Sequence, residues 1–241
     1  MGKNSLPILY EDSDLLVINK PANLLVDPTS PWLRGTSPLP AKYLVHRLDR
    51  NTTGALILAK NPKAQAAVQK QFKDREVKKT YWLITFGQPK RPAGTITSFI
   101  SRNPKDRTKR QVELIDFGRH PDARLSVTGY RTLDQKQSGN IETALIEADL
   151  KTGRTHQLRA QFKSLGSPIL GDPDYTTKPA KRFAKKLGID RQLLHARAIA
   201  FFRPRGGKLV KVGAPLPADF TRVLDELNLK ANNKTSDENK T

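Results

Sequence analysis

The 241-residue chain has no cysteine and only four histidines, which excludes disulfides and leaves little from which to build a structural zinc site. Its 43 lysines and arginines stand against 23 acids, giving +20 at pH 7; so large an excess points to a polyanionic partner, most simply nucleic acid held through its phosphates. No apolar run approaches spanning length and no basic amphipathic anchor dominates, so a membrane partner is not expected.

Met1 to Leu6 shows neither an apolar signal core nor an arginine-rich amphipathic stretch, and the chain reads as cytoplasmic. Ile8-Leu9-Tyr10 and Leu15-Leu16-Val17-Ile18 flank the acidic turn Glu11 to Asp14, predicting strand, turn, strand. Asn19-Lys20-Pro21 ends the second run, because proline cannot donate to a ladder. Asp27 to Pro40 holds four prolines around Trp32 and Arg34 and predicts a loop of restricted flexibility. A loop tryptophan either stacks on a base or pins its loop to the core; pinning is the favoured reading. The stretch His46-Arg47-Leu48-Asp49-Arg50-Asn51-Thr52-Thr53-Gly54 then places an aspartate on a turn feeding the apolar run Ala55 to Ala59.

Asn61-Pro62 is a cap and first-turn proline, and Ala64, Val68 and Phe72 recur on one stripe, predicting a helix to about Arg75. Strands are predicted over Tyr81–Phe86, Thr95–Ile100 and Ile141–Leu150, with a basic loop from Ser101 to Arg110. Lys178 to Arg191 is a second basic element. Pro217 to Leu229 predicts a closing amphipathic helix with Phe220, Val223, Leu224 and Leu227 inward. Residues 230–241 form a polar tail expected to be disordered, leaving 1–229 as one folded domain.

The aspartate stretch, followed by its apolar strand, resembles the central motif of the RluA-type pseudouridine synthases. Three further stretches resemble the rest of that family's set, in order. These are Lys79-Thr80-Tyr81 with Trp82-Leu83-Ile84, then Thr152-Gly153-Arg154-Thr155-His156-Gln157-Leu158-Arg159 with Gly166 to Asp172, and last Leu193-Leu194-His195-Ala196. Two departures stand out: Thr53 where serine is usual, and Asp27 in Leu25-Val26-Asp27-Pro28 where a histidine or small residue is common.

The resemblance implies an α+β fold: a mixed, mainly antiparallel sheet in two abutting halves, with flanking helices and a basic cleft across the middle. It implies isomerisation of uridine in RNA with no cofactor and no metal. Uracil is detached from C1′, rotated and rejoined through C5. Asp49 would be the catalytic carboxylate, whether by attack on base or sugar or by aiding uracil departure. Arg159 would pair with it, Arg154 being the reserve. Tyr81 would lie against the uracil and take part in removing the C5 proton, Arg47 would fill the gap left by the flipped base, and Leu194 would pack under it. His46, Thr155, His156 and Gln157 complete the expected substrate contacts.

A metal-dependent nuclease built on Asp49, Asp172 and Asp174 is an alternative, although Gly171-Asp172-Pro173-Asp174 reads better as a turn. A non-catalytic RNA-binding or ribosome-assembly protein of the same fold is another. The basic loops favour ribosomal over transfer RNA as substrate, and no apolar surface stripe calls for an obligate partner, so a monomer is expected.

Overall fold

The period-two alternation of the apolar runs decides how the sheet is covered. In the computed structural model, which describes residues 6–33, 43–113 and 120–231, eleven strands form one sheet. In chain order the elements are β1 (Ile8–Glu11), β2 (Leu15–Lys20), β3 (Tyr43–Leu44), β4 (Thr53–Ala59), α1 (Pro62–Lys73), β5 (Lys78–Phe86), β6 (Ala93–Arg102), β7 (Arg110–Glu113), β8 (Arg124–Ser138), β9 (Ile141–Leu150), α2 (Gln157–Ser164), α3 (Lys178–Lys186), β10 (Leu194–Phe202), β11 (Leu209–Gly213) and α4 (Ala218–Glu226). The strand order is β1-β2-β4-β10-β5-β9-β8-β6-β7, with β3 beside β4 and β11 beside β10.

Successive residues of a strand point to opposite faces. Leu16 and Ile18 of β2, Leu56 and Leu58 of β4, Leu83 of β5 and Ile146 of β9 therefore share one continuous apolar layer, covered in part by Leu158 and Phe162 of α2. The other face carries two separate cores. Leu15, Val17 and Ile57 pack on Ala64 and Val68 of α1, whereas Trp82, Ile84 and Leu145 pack on Ala184 of α3 and Phe220, Val223 and Leu224 of α4.

These two cores are the two halves of the molecule, and they meet where β4 and β10 run parallel. Every other strand pair is antiparallel, and this junction has only two residue pairs, His195 with Thr53 and Ala196 with Gly54. Gly54 has φ +111°, and a Cβ there would stand 2.3 Å from the carbonyl oxygen of Ala196. Only glycine lets the two backbones approach that closely.

The helix at Asn61-Pro62 forms as the cap residues dictate: the Asn61 side chain accepts the Ala64 N–H at 2.8 Å. Trp32 pins its loop, its Nε1 donating to Leu25 O at 2.7 Å while the ring packs on the shared core. Arg34, Pro38 and Pro40 lie outside the described residues, as does the tail beyond Ala231. The loop expected from Ser101 to Arg110 is shorter than expected, because Ser101 and Arg102 continue β6 and pair with Gln111 and Arg110 of β7. The sequence does not signal β8: its first part, Arg124 to Arg131, is held between β6 and β9, and its later part, Asp134 to Ser138, is polar and pairs with β9 alone rather than showing apolar alternation.

Candidate active site

Asp49 lies on the turn just before β4, at the junction of the halves, where the Thr52 N–H closes the turn onto Asp49 O at 3.0 Å. Three buried groups fix this turn from behind. Lys20, fully buried at the end of β2, donates from Nζ to the carbonyls of Arg50 (2.8 Å), Pro21 (2.8 Å) and Leu24 (3.0 Å). Arg191 donates to Asn51 O at 3.2 Å. His46 accepts the Ile57 N–H at 2.9 Å through Nε2 and stacks on Phe72. Burial lowers the Lys20 pKa to about 7, the Asp49 charge opposing this and Arg191 adding to it.

The carboxylate of Asp49 faces Arg159, with Oδ2 3.5 Å from Nη1, and His156, whose Nε2 is 3.9 Å from Oδ1. Arg159 reaches it from α2, on a side chain only 5% exposed. Its guanidinium is held harder by others: Nε to Asp172 at 2.7 Å, Nη2 to Asp172 at 3.0 Å and to Asp174 at 2.9 Å. Burial pulls the Arg159 pKa down, but Asp172, Asp49 and Asp174 together raise it above its ordinary value. Asp172 Oδ1 also accepts the N–H groups of Asp174 and Tyr175, which makes Gly171-Asp172-Pro173-Asp174 the expected turn. The three carboxylates of the nuclease alternative thus converge on a cation the chain already supplies. Of the three, Asp49 makes the longest contact and keeps the most free lone-pair capacity. Arg154 is exposed and donates to Leu125 O at 3.3 Å, so it is not the partner of Asp49.

In front of Asp49 opens a cavity of about 240 Å³. Tyr81 of β5, opposite Ala196 in the ladder, and Leu194 at the start of β10 form its apolar floor. Burial, then the charge of Asp49, raises the Tyr81 pKa, so the phenol is neutral at pH 7. Arg47, exposed beside Asp49, and Arg154, Thr155 and His156 form the rim. His156 opens α2 in the left-handed region, φ 56°, and its Nδ1 meets the Tyr175 hydroxyl at 3.0 Å. For a non-glycine residue this conformation costs on the order of 1 kcal/mol and is held by the surrounding contacts.

Two residues expected to contact substrate also make bonds within the protein. The His46 ring is tied to Ile57 and Phe72 as described. Gln157, buried at the start of α2, accepts from Thr152 Oγ1 (2.8 Å) and Arg154 N (3.0 Å) and donates to Thr128 Oγ1 (2.9 Å) and Val127 O (3.2 Å). Both line the cavity, but their polar atoms shape it. Conversely, the sequence does not single out Lys20, and it presents Asp172 only as a turn residue or metal-ligand candidate rather than as the partner of Arg159. Lys79 lines the cavity two residues before Tyr81, with its pKa lowered by burial against the opposing charge of Asp149. The one sequence signal for Lys20 was a charged residue at an inward-facing position of an otherwise apolar strand.

The hydroxyl of Thr53 lies 2.8 Å from Nδ1 of His195, and the other ring nitrogen lies 3.2 Å from Ala214 O. Burial, partly offset by the Ala214 bond, lowers the His195 pKa to about 4. Below about pH 6.5 the unfolded chain takes up a proton that the folded ring refuses. This stabilisation is complete above that pH and is lost as pH falls towards 4, roughly 3 kcal/mol over the window. His46, lowered by burial to about 3, acts in the same direction. Urea unfolding between about pH 7.5 and about pH 4.5 should show this decline, shallower in His195→Asn; parallel curves for the two proteins would contradict it.

Residues 14–164 match the family model for RNA pseudouridylate synthase. An uncharacterized RNA pseudouridine synthase of Synechocystis is 35% identical over 234 residues, spanning 91% of this chain and 68% of the relative. The ribosomal large subunit pseudouridine synthase D of Xanthomonas campestris is 36% identical over 241 residues, spanning 92% and 69%. Among solved structures, human RNA pseudouridylate synthase domain containing 4 superposes with a TM-score of 0.73 at 29% identity, over 93% of this chain and 94% of that one. The chain therefore belongs to the RNA pseudouridylate synthase family, in the RluA-type branch that its four motifs resemble. Its reaction class is the isomerisation of uridine in RNA to pseudouridine. Among the described residues no helix is long and apolar enough to cross a membrane.

Proposed function

We propose that the cavity at the junction of the halves receives a single uridine flipped out of structured RNA, and that Asp49 is the carboxylate that acts on it. The observation carrying this reading is the environment of Asp49. A partly exposed carboxylate, fixed from behind by Lys20, faces a guanidinium whose best bonds go elsewhere. Arg159 offers the Asp49 carboxylate a cation at 3.5 Å without saturating it. Extruding the base costs a few kcal/mol, offset by stacking in the pocket and by filling the gap it leaves. Tyr81 and Leu194 supply the stacking surface, and exposed Arg47 fills the gap. His156, 3.9 Å from Asp49, is a neighbour able to contact the sugar.

Ribosomal RNA is the substrate class we favour, supported by the names of the Xanthomonas and Neisseria relatives, ribosomal large subunit pseudouridine synthase D. The basic loops noted in the sequence agree with it. We place the protein in the cytoplasm, acting as a monomer and without cofactor. The family makes a retired, purely RNA-binding protein the weaker alternative.

Joining C5 of the base to the sugar expels the C5 proton, so RNA labelled with tritium at uridine C5 releases label to water as pseudouridine forms. Purified protein incubated with labelled ribosomal RNA should release tritium in proportion to turnover. No release from ribosomal or transfer RNA would overturn the proposal. Tyr81→Phe should bind RNA as the wild type does yet release tritium at least about a hundredfold more slowly, the scale of a lost proton-transfer group. A Tyr81→Phe protein of normal rate would leave the ring, not the hydroxyl, as the functional part.

A further inference from the structure

Arg154 and Thr155 line the catalytic cavity on one side and a second, larger cavity of about 660 Å³ on the other. The walls of this trough come from strand ends at the outer edge of the sheet. Arg102 ends β6, Arg110 opens β7 directly opposite it, and Arg124 opens β8 opposite Ile100. Arg107, in the turn between β6 and β7, and Arg154 bring the guanidinium groups to five.

The acids nearby are already engaged. Asp106 pairs with Lys109 at 3.2 Å and Glu113 with His120 at 3.1 Å. Asp122, the single carboxylate lining the trough, accepts the backbone N–H of Arg102 at 3.0 Å. Among the described residues, three of the arginines donate to carbonyls: Arg110 to those of Arg107 and Lys109, Arg124 to those of Pro121 and Ala123, and Arg154 to that of Leu125. Five guanidiniums against one carboxylate repel one another, and a chain of phosphates relieves that repulsion with release of counterions. The planar fork of arginine matches a phosphate in two contacts.

We infer that this trough carries the phosphodiester backbone of the RNA strand flanking the flipped uridine, so that the strand leaves the catalytic cavity past Arg154 and runs along the ends of β6, β7 and β8. The inference rests on the proposed function, since it takes the occupant of the first cavity to be part of the same RNA.

The test measures binding of a fluorescein-labelled oligouridylate across a range of salt concentrations. Three proteins are compared: wild type, the trough variant Arg102→Gln/Arg107→Gln/Arg124→Gln, and a control of equal charge loss, Lys63→Gln/Lys208→Gln/Lys211→Gln. The control residues are exposed on α1, beside β11 and on β11, in the part of the sheet away from β6 and β7. Each phosphate contact on a single strand contributes about 0.7 to the slope of log affinity against log salt. The trough variant should lower that slope by about 2 and the control by less than about 0.5. The corresponding Arg→Lys variant, which keeps the charge, should retain the slope and exclude misfolding as the cause. Equal losses in trough and control variants would overturn the trough while leaving tritium release intact. Failure of wild type to release tritium, with the slope difference present, would overturn the proposed function instead.

Discussion

Asp49→Asn is expected to abolish tritium release from labelled RNA, by at least about ten-thousandfold, or about 5.5 kcal/mol of barrier. The substitution keeps the shape and a hydrogen-bonding oxygen but removes the charge and the reactive carboxylate. It should not disturb the fold. Asp49 is 20% exposed and its contact to Arg159 is the longest of the cluster, at 3.5 Å. The Arg159 bonds to Asp172 and Asp174 survive, so the change in stability should stay within about 1 kcal/mol. RNA affinity should persist, because loss of a negative charge cannot weaken attraction to phosphates. An Asp49→Asn protein that retained even a hundredth of wild-type release would require another group to do the chemistry.

The second large effect belongs to Arg159, and it is structural as well as chemical. Arg159→Met leaves Asp172, whose side chain is fully buried, without its cation. Breaking a buried pair from one side costs about 3–5 kcal/mol, because the remaining charge has no compensation. The same substitution takes from Asp49 its cationic neighbour at 3.5 Å, so activity should fall with stability. Two further variants separate these consequences. Arg159→Met/Asp172→Leu removes both buried charges and should regain much of the stability, since an apolar replacement of such a pair is often neutral; activity should not return. Arg159→Lys keeps a charge but not the fork that contacts Asp172, Asp174 and Asp49 at once, and should remain at least about a hundredfold slow. Denaturant unfolding read beside tritium release distinguishes these outcomes. A stable and active Arg159→Met protein would remove Arg159 from the account.

The sequence made the local parts legible wherever one physical rule acted alone. Asn61-Pro62 capped a helix because cap chemistry is local. The strand Ile141–Leu150 was readable because Ile141, Thr143 and Leu145 fall on one face at a spacing of two. Elements stabilised mainly by their neighbours were not readable: β8 carries the polar run Gln135, Lys136 and Gln137 in a ladder sustained by pairing with β9. At the site, Asp49 and Arg159 are 110 positions apart, and no spacing rule joins them; only the resemblance of ordered motifs did. The roles given to His46 and Gln157 show the limit of that resemblance. It located both at the cavity, but not that their polar atoms bond to the protein itself. Lys20, and the pairing of Asp172 with Arg159, escape the sequence for a related reason. Their importance lies in what they hold still, and that depends on three-dimensional neighbours.

The most direct test of the central claim maps pseudouridines, by chemical derivatisation and reverse-transcription stops, across ribosomal and transfer RNA. The RNA comes from cells lacking this protein and from the same cells restored with wild type or with Asp49→Asn. One or a few ribosomal sites should disappear in the deletion and return only with wild type. An unchanged map, or full restoration by Asp49→Asn, would contradict the account.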